Sequence, residues 1–173
     1  MGYNYKNFSN TLGKIGPIIL LYFLSITELH TEFSNLFEIL SFNLQLIIVY
    51  YWMLKQPSVL GNGHVFFAGL INDIVMALPM GASALCYLIV SFVASYMRNV
   101  TVNKSLFTDW FTFLVAIFFS NLTYFTIVAK FTNLELNYTV LFYNSFFTFL
   151  FFPMFWVIFN FYRTIFFTIN DWF

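Results

Sequence analysis

Long apolar runs, each cut by a short polar break, set the organisation of this chain. The pattern predicts about six spanning helices: Ile15 to Glu28, Leu36 to Leu54, His64 to Leu78, Ala82 to Met97, Leu106 to Ala129 and Tyr138 to Tyr162. The breaks between them are ordinary turn chemistry. "KQPSVLGNG" (55–63) carries a proline and two glycines, "LPMG" (78–81) is a tight-turn signal, and "RNVTVNKS" (98–105) and "KFTNLELN" (130–137) are polar. The first run, preceded by Lys6 and Lys14, has the length of a signal-peptide core. No small-x-small cleavage site follows in "ITELHTEF", so it reads as an uncleaved first helix. Pro153 falls inside the sixth run and predicts a packing kink there.

Composition makes this a membrane protein. Of the 173 residues 61% are hydrophobic and only 8% charged, with a mean hydropathy of +0.81. A soluble domain needs roughly 25% charged residues to cover its surface. The expected fold is therefore an all-α integral membrane protein, one polytopic domain over 1–173. Phenylalanine is in excess at 27 residues, a composition suited to lipid-facing surface. Net charge is zero, which gives nucleic acid no electrostatic footing.

The few charges set an orientation. With six spans and a cytoplasmic N-terminus, Lys6, Lys14, Lys55, Arg98, Lys104 and Arg163 all lie inside and only Lys130 outside. Glu28, Glu32 and Glu135 then fall outside. Both termini are expected in the cytoplasm.

Candidate chemistry is sparse. "ELHTE" (28–32) resembles a metal cluster, but on a helix Glu28 and Glu32 share a face that His30 does not, so it reads as a wet helix end. His64 reads as an interfacial cap or packing residue, and Cys86, the lone cysteine, as a buried inert thiol. No nucleophile–base pair, phosphate-binding glycine loop or carboxylate pair can be assembled, so neither catalysis nor a cofactor or metal is expected.

Asp73 is the exception, because a carboxylate in hydrocarbon costs on the order of 3 kcal/mol even on lenient scales. Gly69, Asp73 and Ala77 recur every four residues, and the small pair favours close approach of a neighbouring helix. The next run offers Ser83, Tyr87, Ser91 and Ser95 at the same spacing. Counting outward from the turn sets Asp73 opposite Tyr87, which becomes the expected hydroxyl donor, with Ser83 and Ser91 as alternates.

The stretch "YYWMLKQPSVLGNGHVFFAGLINDIVMALPMGASAL" (50–85) resembles the rod-shape-determining membrane protein family MreD. The resemblance is carried by Trp52, Pro57, Gly61, Gly63, the "FFAGLINDI" core with Gly69 and Asp73, and Gly81 after Pro79. It covers about a fifth of the chain. It implies a non-enzymatic component, in a bacterial plasma (inner) membrane, of the elongation machinery that builds lateral peptidoglycan. The implied partner is a bitopic MreC-like protein and, through it, the MreB filament, the RodA polymerase and a penicillin-binding transpeptidase. It also implies a fold similar to the substrate-binding component of energy-coupling-factor transporters. That fold raises a competing expectation, a vitamin-binding transporter subunit, which needs a polar pocket near the outer face. A third reading is a membrane protein that matches the motif by coincidence.

Overall fold

The computed structural model describes residues 2–27, 43–101, 105–131 and 138–167, with side chains from residue 13 onward. The described residues form six helices: α1 Gly2–Ile26, α2 Leu44–Lys55, α3 Pro57–Val75, α4 Ala82–Val100, α5 Leu106–Phe131 and α6 Tyr138–Phe166. The chain is thus all-α. Helices α4, α5 and α6 are long and apolar enough to cross a membrane. The apolar part of α1 (Gly13–Ile26) and α2 are shorter than a full crossing needs.

Helix α2 is the centre of the bundle and packs against all five other helices. Every residue from Leu46 to Leu54 is buried, a pattern without a polar face that only an interior helix tolerates. Its N-terminus is capped by Asn43, whose Oδ1 accepts from Leu46 N at 3.1 Å. The Asn43 N–H in turn donates to Thr148 Oγ1 on α6 at 2.8 Å.

Helices α1 and α6 meet closely at one end. A Cβ on Gly13 would lie 2.7 Å from Phe166 Cβ, and Tyr162 donates to the Gly13 carbonyl at 3.2 Å. Lys14, Lys55 and Arg163 therefore lie toward the same end of the bundle. Helices α5 and α6 turn much of the phenylalanine excess outward, with Phe107, Phe111, Phe118, Phe142 and Phe161 exposed.

Several boundaries differ from expectation. Helix α2 begins at Leu44 rather than Leu36, and residues 28–42, including the "ELHTE" cluster, lie outside the described residues. Helix α3 begins seven residues before His64, at Pro57, where proline's fixed φ and missing N–H suit a first helical position. Gly61, with φ 51° and ψ 148°, divides this segment into two helices across a kink, so the longer one resumes two residues before the expected start at His64. Those angles are open essentially to glycine alone. Helix α6 continues through Pro153.

Candidate functional site

Helix α3 ends at Val75, and the chain reverses within six residues to start α4. The Leu78 N–H bonds the Asp73 carbonyl at 2.9 Å and the Ala77 N–H bonds the Ile74 carbonyl at 3.4 Å. This is the Schellman arrangement, and it puts its left-handed residue at Ala77, with φ 50°. Ala77 therefore lies past the helix end. The expected Gly69–Asp73–Ala77 face stops at Asp73.

The Asp73 side chain, fully buried, closes the junction from the other direction. Its Oδ2 accepts from Gly81 N at 2.8 Å and its Oδ1 from Ser83 N at 2.7 Å. Gly81 is the N-cap of α4, with φ 99°, and brings no side chain to the cap. A helix start leaves four backbone N–H groups without intrahelical partners. Here Asp73 takes two, and Ala82 N donates to Pro79 O at 3.0 Å, so three of the four are satisfied. The carboxylate also sits at the positive end of the α4 dipole. Helix α3 thus supplies the N-cap that α4 lacks.

The expected donor was Tyr87, and this is a correction. The Tyr87 hydroxyl is buried without a hydrogen-bond partner among the described residues, while Asp73 bonds to backbone N–H groups instead. The carboxylate prefers them because they come in a fixed pair at a helix start and need no side-chain ordering. Ser83 takes part, through its N–H to Asp73 and through its hydroxyl, which accepts from Asn72 Nδ2 at 3.0 Å. Ser91 lies farther along α4 and donates to Asn62 Oδ1 at 2.7 Å.

Gly69 sits against α4 as a small residue on that face should. A Cβ added there would be 2.7 Å from Ala84 N and closer still to Ala84 Cα. Asn72 extends the network, because Gln45 Nε2 donates both to Asn72 Oδ1 at 3.1 Å and to the Leu24 carbonyl at 2.9 Å. Four helices, α1 to α4, are joined by this one polar chain.

A second polar cluster lies at the other end of α2. Lys55 pairs with Asp109 on α5, their side chains 7% and 5% exposed. Trp156 on α6 donates to Asp109 Oδ2 at 2.9 Å, and the lysine lies 5.8 Å from the Trp156 ring centroid. Sequence reading missed this triad. Lys55 and Asp109 are far apart in the chain, and each borders a polar break, where a charge reads as hydrated.

The remaining motif residues hold structure. Trp52 is 1% exposed within an aromatic cluster of Tyr51, Phe159, Tyr162 and Phe167. Gly61 makes the break in α3, and a Cβ on Gly63 would meet nothing within 4 Å. His64 is exposed beside Tyr22, and Cys86 is buried with its thiol donating to the Ser120 carbonyl at 3.4 Å. Among the described residues no group of three His, Cys, Asp or Glu side chains could hold a metal ion. A cleft of about 220 Å³ opens between α5 and α6, lined by Asn121, Tyr124, Phe125, Leu141, Phe142 and Ser145.

No family model, curated protein or solved structure matches this chain.

Proposed function

We propose that this chain is a non-enzymatic membrane scaffold of the MreD kind, acting in bacterial cell elongation. In this reading it lies in the inner membrane with both termini cytoplasmic. It engages a bitopic MreC-like protein, and through it the MreB filament, the RodA polymerase and a penicillin-binding transpeptidase. The observation that carries the reading is where the motif letters go. Gly69, Asp73 and Gly81 lock α3 to α4, Gly61 breaks α3, and Trp52 anchors the central helix. A motif spent on fixing helix geometry suits a protein whose product is a shaped surface.

The test is depletion in the native rod-shaped cell. Rounding of the cells, with a co-purifying bitopic membrane protein in detergent pull-downs, is the expected result. Normal rods after complete loss overturn the proposal. A reporter fused after Phe173 is expected to read out as cytoplasmic, and a periplasmic signal would remove the six-span orientation.

A further inference from the structure

Helices α5 and α6, both long and apolar enough to cross a membrane, run antiparallel: Asp109 meets Trp156, Phe113 meets Phe152, Asn121 meets Ser145 and Phe125 meets Tyr138. Ring contacts close the gap on two sides, Phe113 with Phe152 at 4.5 Å between centroids and Phe125 with Tyr138 at 5.7 Å. Between them the facing residues are Asn121 and Ser145. Their short side chains bridge the gap with one hydrogen bond of 2.6 Å but cannot fill it as rings do. The cleft of about 220 Å³ is the space they leave, walled also by Phe125, Leu141 and Phe142. That is about seven times a water molecule's share of the liquid, room for one slender chain and not for a two-tailed lipid.

The polar groups of the cleft define its occupant. The single proton of the Ser145 hydroxyl goes to the Leu141 carbonyl at 2.8 Å, an oxygen that can only accept. Toward Asn121 the serine must then accept, from Nδ2, and this fixes the amide orientation. Asn121 Oδ1 is left without a partner among the described residues. Tyr124 shares the cleft wall three residues along α5, and its hydroxyl has no partner among the described residues either. Residues three apart on a helix lie side by side. Polar groups left unsatisfied between membrane-crossing helices are costly. One hydroxyl answers both, donating to Asn121 Oδ1 and accepting from Tyr124. An ester carbonyl has no proton for Asn121, and a carboxylate would set its charge against that oxygen.

We propose that the α5–α6 cleft binds a membrane-dissolved long-chain alcohol, its chain against Phe125, Leu141 and Phe142 and its hydroxyl between Asn121 and Tyr124. The proposal rests on α5 and α6 lying in lipid, and not on a role in cell elongation.

The test uses the full chain in phosphatidylcholine vesicles with a dodecanol that carries a photoactivatable diazirine in its chain, and maps the adducts by mass spectrometry. Adducts are expected on residues 121–125 and 141–145, the two sides of the cleft. Unlabelled dodecanol should suppress them at a concentration about three- to tenfold lower than dodecyl methyl ether, which lacks only the donated proton; that ratio is the worth of one intramembrane hydrogen bond. Asn121→Leu should make the two competitors equal. Tyr124→Phe should weaken both alike and keep their ratio, since alcohol and ether accept equally well. Leu141→Trp should fill the cleft and abolish the adducts there. Helical circular dichroism like the parent's is expected of all three variants, because Ser145 keeps its bond to the Leu141 carbonyl. The alcohol–ether comparison is made on the parent chain and needs no variant to fold. Adducts spread evenly along the exposed faces of α5 and α6, equal suppression by alcohol and ether, or a preference that survives Asn121→Leu overturns the proposal. Normal rods after depletion would sink the cell-elongation role and leave these vesicle results standing.

Discussion

Asp73 offers the sharpest test of how this bundle is held, because its two bonds are to backbone and have no substitute nearby. Removing the carboxylate strands the N–H of Ser83, which is buried, and that of Gly81, which is partly buried. An unsatisfied buried donor costs about 1–3 kcal/mol. With Ser83 toward the upper end and Gly81 toward the lower, Asp73→Leu should lose about 3–4 kcal/mol. Asp73→Asn keeps one acceptor but sets an amide donor against the second N–H, and should lose about 2 kcal/mol. Tyr87→Phe provides the control. Its hydroxyl has no partner among the described residues, so its removal should be neutral or slightly stabilising, within about 1 kcal/mol. The assay is a reversible SDS titration of the purified protein in mixed micelles, followed by circular dichroism. The expected order is Tyr87→Phe at or above the parent chain, then Asp73→Asn, then Asp73→Leu. The capping account fails if Asp73→Leu unfolds with the parent chain, or if Tyr87→Phe costs more than Asp73→Asn.

Ala77→Gly should raise stability by about 1 kcal/mol in the same titration, by relieving the left-handed φ of 50°. Gly69→Ala should lose about 2–3 kcal/mol and lower the amount of protein recovered in membranes, because its Cβ meets the Ala84 backbone rather than a side chain that can swing away. Lys55→Met and Asp109→Leu should each cost about 3–5 kcal/mol alone. The double variant should recover most of that loss in a double-mutant cycle, and an additive loss would mean the pair is not coupled.

The sequence speaks most clearly where helices are long and bounded by polar turns. The last three runs, from Ala82, Leu106 and Tyr138, start at the residues expected and extend a few residues past the expected ends. The reading falters where a local signal is overridden by a neighbour. "LGNG" reads as a loop from its glycines, and Gly61 does kink the chain there, but a short helix from Pro57 precedes the kink and the longer one resumes directly after it. The position of Asp73 on a face with Gly69 was legible from spacing. Its partner was not, because the hydroxyl stripe of α4 draws attention to side chains, whereas the donors are main-chain groups that no residue letter displays. The Pro79-x-Gly81 turn was the available hint, since a glycine at an N-cap leaves that cap to be supplied from elsewhere. The Lys55–Asp109 pair had no hint in the one-dimensional pattern.

The burial of α2 on every side has a consequence for how the chain is made. Ribosomes deliver α2 before α4, α5 and α6, the helices that later enclose much of it. Until α5 emerges, Lys55 at the end of this 12-residue apolar helix is made ahead of Asp109, the carboxylate it pairs with in the folded chain. The segment is too short to settle across a bilayer by itself. Its full enclosure therefore waits on helices that begin only at Leu106 and Tyr138, so a chain interrupted between α4 and α5 is expected to be degraded faster in pulse–chase than the full chain.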